Sequence, residues 1–265
     1  MSRALAHHRI SASLAGQKLG HHVVYLAETA STNDEARALA LAGYPEGVVV
    51  FADAQTAGRG RRGAEWFAPP QKSLLFSLLL RPQAAPELWP LLTHTAALAV
   101  SEAIELLFPE LRPQIKWPND IFLNGRKAAG LLLESGFPTA AAPYAVLGLG
   151  LNVNVSERDL PPDLRGATTS LATELGTSVD RESVAIAIVR ALNAHYPAVW
   201  TSFPAQLSGV RRRSLLLGRT VRAVIGSQEI RGVAVDHSES GELVVESADQ
   251  QRTVLRAVDS IRLVD

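Results

Sequence analysis

The pair Asn124-Gly125 narrows most sharply what this chain can become. Both residues tolerate the positive φ that a two-residue hairpin turn demands, so the strand entering it must reverse and pair with the strand leaving. The entering strand covers 121–123 and the returning one 127–134, while a short strand at 114–117 stops at Pro118, which has no N–H to offer a ladder. Brief apolar runs at 21–26, 47–52, 73–81 and 144–155 read as further strands. Helical spacing is confined to a few stretches. One starts at Ser31 or Thr32, with Asp34 or Glu35 completing a capping box, and stops at Gly43; others cover 88–108, about 170–175, and 182–200. Hairpin-linked strands interrupted by long helices predict an α+β fold, with a mixed, largely antiparallel sheet flanked by helices rather than a doubly wound parallel one.

The pattern changes near residue 210. Arg211-Arg-Arg213 reads as a solvated helix end or linker. Beyond Gly218, short alternating segments at 219–225, 230–235, 243–246, 252–256 and 261–264 are punctuated by Gly226-Ser227 and Ser240-Gly241, which predicts a small antiparallel barrel. The expected division is a first domain over 1–213 and a second over 214–265. Lys+Arg and Asp+Glu each total 26, so any cationic site is local and a generic nucleic-acid coat is disfavoured. The absence of cysteine excludes disulfides, thiol chemistry and cysteine zinc sites. No run of about 18 apolar residues occurs and residues 1–9 lack a signal-peptide core, so neither a membrane span nor export is expected, and the cytoplasm is the expected location.

Three polar islands carry the chemistry. Gly58-Arg-Gly-Arg-Arg-Gly63 follows the 47–52 strand. It spells Gly-x-Gly-x-x-Gly, but its arginines crowd the turn and no apolar helix follows at once, so it is not read as a dinucleotide fingerprint. These residues fit a solvated basic loop. They equally fit a lid, since glycine gives mobility and arginine offers planar forks to carboxylate or phosphate oxygens. Lys116-Trp-Pro-Asn-Asp120 and Arg126-Lys-Ala-Ala-Gly130 place Lys116 and Lys127, two of the four lysines, in one hairpin. They fit exposed strand-end charges as well as a site. The third island is Gly148-Leu-Gly-Leu-Asn152. His7-His8 and His21-His22 are sequence neighbours that do not share a helix face, so no metal is expected there.

In order along the chain, Ser31-Thr-Asn33, Gln55 with the glycine–arginine loop and Trp66, Lys116-Trp-Pro-Asn-Asp120, Arg126-Lys-Ala-Ala-Gly130 and Gly148-Leu-Gly-Leu-Asn152 resemble the biotin–protein ligases (biotin–acetyl-CoA-carboxylase ligases) over roughly 22–264. The resemblance is to the monofunctional type without the N-terminal DNA-binding domain, because only about 20 unpatterned residues precede the first strand. It implies a class II synthetase-like catalytic domain and a C-terminal barrel of SH3-like type. It implies activation of biotin by ATP to biotinyl-5′-AMP, followed by transfer to a lysine of a biotin carboxyl carrier protein domain, with Mg2+ accompanying the nucleotide.

Carried over residue by residue, the resemblance assigns Ser31, Thr32, Asn33, Gln55, Arg59, Gly60, Arg61, Lys127 and Gly130 to biotin. It assigns Arg59, Arg61, Arg62, Trp66, Asn119, Lys127 and Asn152 to ATP and the adenylate, with Trp66 stacking on adenine. Arg59 and Lys127 are the expected catalytic cations, and Asp120 either orients the acceptor amine or only holds the Lys127 hairpin. Neither DNA nor a membrane is an expected partner, and a homodimer through an exposed sheet edge is compatible with the family. The chain departs from the family at Ala64-Glu65, where a basic residue is common, and at Gln71-Lys-Ser73. Two other readings remain: a lipoate–protein ligase, and a nucleic-acid-binding module using Arg59 to Arg62 and Arg211 to Arg213.

Overall fold

The computed structural model describes residues 3–264. Helix α1 (His7–Ser13) precedes β1 (His22–Leu26), and α2 (Thr32–Leu41) connects β1 to β2 (Val48–Ala52). After β3 (Ser73–Leu80) and α3 (Leu91–Leu107) come β4 (Gln114–Lys116), β5 (Asp120–Leu123), β6 (Arg126–Gly136) and β7 (Tyr144–Asn152). Three helices follow: α4 (Leu171–Leu175), α5 (Arg181–His195) and α6 (Phe203–Arg212). The chain finishes with β8 (Thr220–Ile225), β9 (Gln228–His237), β10 (Leu243–Glu246), β11 (Arg252–Leu255) and β12 (Ser260–Leu263).

The first seven strands form one sheet in the order β1-β2-β3-β7-β6-β5-β4. Only β1 and β2 pair in parallel, joined through α2; every other ladder is antiparallel. Asn124 and Gly125 take φ of 47° and 75°, as the hairpin between β5 and β6 requires. The fold class is therefore the mixed, mostly antiparallel α+β arrangement that the sequence predicts.

Residue parity along β7 decides where a site can form. Ala145, Leu147, Leu149 and Leu151 point into the main core, which they share with Phe76 of β3, Leu98 and Ile104 of α3, and Ile188 of α5. The opposite parity begins with Tyr144 and Val146, which pack under Ala36 and Ala40 of α2. It continues as Gly148, under Asn33 in the first turn of α2, and Gly150, under Trp66. One face of the sheet is thus covered along its length by helices, and the other only as far as α2 reaches.

Several details depart from expectation. Residues before β1 are not featureless, because Ile10, Leu14 and Leu19 are fully buried and seat α1 against α5. With only two apolar residues in a seven-residue helix, no periodicity was visible. Ser31 occupies the N-cap position of α2, but its hydroxyl makes no capping bond. Instead Gln55 Oε1 accepts from the Thr32 N–H at 2.8 Å. Arg211-Arg-Arg213 is not a loose linker. Arg213 pairs with Glu105 at 2.5 Å, and Arg211 pairs with Asp236 at 2.7 Å while donating to the His237 carbonyl. The last five strands form an antiparallel sheet in the order β11-β10-β9-β8-β12, whose ladders end at β11 and β12 without closing into a barrel. Among the described residues no helix is long and apolar enough to cross a membrane.

The second sheet has its own core of Val221, Ala223, Ala234, Leu243, Val245 and Leu255, into which Trp117 of the first unit inserts. His94 of α3 faces His237 across the same junction, with ring centroids 6.4 Å apart. Full burial pushes the His94 imidazole down to about 3, and the nearby His237 adds to this. In the unfolded chain His94 takes up its proton near 6.5, so between those values the unfolded state binds more protons and stability falls as pH falls. From pH 6.5 to 5.5 this one group removes about 1 kcal/mol. Denaturant unfolding at the two pH values should show that loss in the wild type and a smaller one in His94→Phe.

Candidate functional site

The uncovered part of the sheet forms the floor of a cavity of about 180 Å³. Its floor is set by cross-strand register. Gly130 lies opposite Gly150, and Leu132 opposite Gly148. On the far side, Ser77 lies opposite Gly148. The glycines are required by close approach. A Cβ on Gly150 would lie 2.4 Å from the Trp66 ring, and one on Gly148 would lie 2.3 Å from Asn33 Oδ1. Trp66 and Asn33 therefore rest directly on the sheet backbone.

Three elements build the rest. The first turn of α2 supplies Ser31, Thr32 and Asn33, all at most 4% exposed. The Ser77 hydroxyl lies 2.7 Å from Thr32 Oγ1 and 2.5 Å from Asn33 Oδ1. Thr32 Oγ1 donates in turn to Gln55 Oε1 at 3.0 Å. This uses the Gln55 carbonyl and leaves its NH2 group to donate. One end of the cavity is thus a rigid set of fixed donors and acceptors around a small space.

The second element is residues 58–66, a tight hairpin in which Gly60 N donates to Ala64 O at 2.6 Å and Trp66 N to Gly58 O at 2.9 Å. Its base carries Arg59. The guanidinium grips Asp34 with two bonds of 2.7 Å and approaches Glu134 at 3.3 Å. The Arg59 hydrogen bond holds the Asp34 carboxyl below the usual carboxylate range. Arg61 points toward the cavity, 3.5 Å from Asn119 Oδ1. Burial pushes its pKa down and the neighbouring Arg62 charge adds to this, while Asp120 opposes both.

The third element is the β4–β5–β6 corner. Lys127 Nζ lies 2.8 Å from Asp120 Oδ1 and 5.5 Å from the centroid of the Trp66 ring. Apart from that ammonium, Asp120 Oδ1 has no hydrogen-bond partner among the described residues. Burial pushes the Lys116 ammonium down, Asp120 opposes this, and Lys127 and Arg262 add to it. Asn119 is fixed by its Nδ2, which donates to Leu131 O at 2.7 Å. The far end of the cavity is therefore cationic, with Arg61 and Lys127 on its wall and Asp120 between them.

Of the residues selected from sequence, Ser31, Thr32, Asn33, Gln55, Arg59, Gly60, Arg61, Trp66, Asn119, Asp120, Lys127 and Gly130 all line this one cavity. Two do not. Arg62, at φ 57° on the hairpin tip, turns away to pair with Asp259, in the loop just before β12. Asn152 is buried beside Ser73 and donates to Thr169 O at 3.1 Å. Trp66 lies against the glycine floor, with the Lys127 ammonium 5.5 Å from its ring centroid. Sequence reasoning missed Asp34, Glu134 and Ser77 as parts of the site. The alternation of glycine with leucine over 147–151 was the available signal for the floor.

Residues 25–152 match the model of the biotin/lipoate A/B protein ligase family. A biotin–[acetyl-CoA-carboxylase] ligase of Mycobacterium tuberculosis is 35% identical over 244 residues, covering 90% of this chain and 88% of that protein. A bifunctional ligase/repressor of Bacillus spizizenii is 32% identical, covering 92% of this chain and 78% of the other. Among solved structures, a biotin protein ligase from Aquifex aeolicus in complex with biotin and ATP superposes with a TM-score of 0.80 at 27% identity, covering 92% of this chain and 99% of that one. Five ordered motifs meeting in one cavity agree with similarity of this extent, and the chain belongs to the biotin–protein ligases.

Proposed function

We propose that the protein activates biotin with ATP and transfers it to a lysine of a biotin carboxyl carrier protein domain of an acetyl-CoA carboxylase. The observation that carries this reading is the two-ended cavity. One end offers buried, mutually fixed polar groups to a compact, mostly apolar head group bearing a ureido function. The other offers two cations where a carboxylate meets a phosphate.

In the first step a biotin carboxylate oxygen attacks the α-phosphorus and pyrophosphate leaves with the P–O electron pair. Arg61 and Lys127 stabilise the charge gathered there, and their partial burial strengthens the interaction. In the second, an uncharged lysine amine attacks the acyl carbon, AMP departs and the amine gives up a proton. That amine has an unperturbed pKa of about 10.4, so a nearby carboxylate assists by orienting it and accepting charge. Asp120 takes this role only if Lys127 shifts toward the ligand; otherwise it remains the counter-ion that positions Lys127. Ser31, Thr32, Asn33 and Gln55 are assigned to the head group, Gly60 and Gly130 to close backbone approach, and Asn119 to the nucleotide. Trp66 is assigned to the wall of the acyl chain rather than to adenine, because the glycine floor and Lys127 already occupy its surroundings. Arg62 and Asn152 act at most indirectly, through the second sheet and the β3–β7 ladder.

Among the described residues no group of three or more His, Cys, Asp or Glu side chains is placed to hold a metal. A resident magnesium cage is not built from these side chains, and the ion expected with ATP would be bound mainly by the phosphates. The reading divides the chain into a catalytic unit over 1–213 and an SH3-like unit over 214–265, working in the cytoplasm; a homodimer through a sheet edge is compatible with it.

ATP–pyrophosphate exchange tests the proposal. It should require biotin and should not occur with lipoate, whereas exchange with lipoate alone would move the protein to the other branch of its family. Lys127→Ala and Arg61→Ala should each lower the rate by about a hundredfold without a matching loss of thermal stability. In Gly150→Val the new side chain displaces Trp66, and KM for biotin should rise at least about tenfold. An unchanged KM in that variant would remove Trp66 from the biotin wall.

A further inference from the structure

We infer that Asp34 and Glu134 are positioning residues that latch Arg59, and with it the 58–66 hairpin, over the cavity, so that Arg59 acts on the lid rather than on the ligand. All three guanidinium nitrogens are engaged. Nη1 and Nη2 each donate to Asp34 at 2.7 Å, Nη2 also lies 3.3 Å from Glu134 Oε2, and Nε lies 3.4 Å from Glu134 Oε1. A parallel two-bond grip of this kind fixes direction as well as distance. It is also locally balanced. Arg37 meets the same Asp34 at 2.6 Å, so two cations face two carboxylates and little net charge remains for an incoming anion. Among the described residues Arg61 of the same hairpin has no carboxylate within ion-pair distance, and it keeps its charge toward the cavity.

Both carboxylates are themselves held. Asp34 lies in the first turn of α2, where the helix terminus favours negative charge. Glu134 accepts from Asn33 Nδ2 at 2.6 Å, and Asn33 is bonded to Ser77 within the buried network at the polar end of the cavity. The latch and the polar end therefore share Asn33. A ligand that tightens Asn33 also fixes Glu134 and strengthens the hold on the hairpin. The chemical purpose is containment, because a mixed anhydride left open to water hydrolyses. That purpose rests on the ligase reading, but the latch itself is defined in the chain without ligand.

Limited trypsin digestion separates the two. Cleavage after Arg59, Arg61 and Arg62 should be slow in the wild type and about tenfold faster in Asp34→Asn and in Glu134→Gln, after discounting a latch that is about a third exposed. Asp34→Glu should recover part of the protection, and cleavage elsewhere in the chain should not change. Effects of Asp34→Asn and Arg59→Gln should coincide instead of adding in the double variant. With biotin, ATP and carrier present, Asp34→Asn should raise KM for biotin and release more AMP per carrier labelled, with a smaller change in kcat. Equal digestion of wild type and both single variants, or additive effects in the double variant, would overturn the latch whatever the enzyme does. Loss of biotin-dependent exchange in the wild type would overturn the function while the digestion still decides the latch.

Discussion

The site depends on one strand having two incompatible faces. On β7, leucines of one parity carry the core under α3 and α5, while Gly148 and Gly150 of the other parity expose bare backbone. A side chain at either glycine would collide with Asn33 or Trp66 at distances no real Cβ tolerates. Gly130 repeats the arrangement on the neighbouring strand, directly opposite Gly150. Interior glycine weakens a strand, and here the ladders of β3 and β6 on either side of β7 offset that weakness. The cavity is a consequence of side-chain alternation, with no distortion of the sheet needed to make it.

Charge is distributed around this floor with equal economy. Asp120 is surrounded by Lys116, Lys127 and Arg61, so the corner carries an excess of positive charge while its one carboxylate stays close to an ammonium. Partial burial makes each of these cations electrostatically costly when the cavity is empty and more strongly attracting when an anion enters. At the opposite end hydroxyls and amides hold one another in a network of neutral groups. The two ends differ in kind because they come from different elements: a helix terminus on one side and a strand corner on the other.

Much of this was legible in the sequence, for identifiable reasons. Asn124-Gly125 fixed the β5–β6 hairpin and thereby the neighbourhood of Lys127. Ordered motifs brought twelve of the fourteen selected residues to one cavity, even though they are scattered over a hundred positions. What escaped was set by direction and long-range pairing. Arg62 is indistinguishable from Arg61 in the sequence, and only a left-handed residue at the hairpin tip sends it to Asp259. Asp34 read as a capping residue, because nothing local says that an arginine 25 positions later will grip it. Asn152 shares the parity of Gly148 and Gly150, but lies far enough along β7 to be covered by Thr169. The short α1 was missed because its burial comes from tertiary contact with little local pattern, whereas α6 buries Phe203, Leu207 and Val210 at helical spacing, a signal that was present in the sequence.

The Lys116-Trp-Pro-Asn-Asp120 corner looks in two directions. Asn119 and Asp120 line the cavity, while Trp117 is buried in the core of the second sheet and donates its indole N–H to Gly241 O at 3.0 Å. The C-terminal sheet is therefore no detachable appendage. Cutting the chain between the two units would strip a large aromatic of its cover, strand its N–H, and loosen the turn that aims the neighbouring residues into the cavity. Wherever such chains exchange their C-terminal halves, the tryptophan and the surface that receives it have to travel as a matched pair.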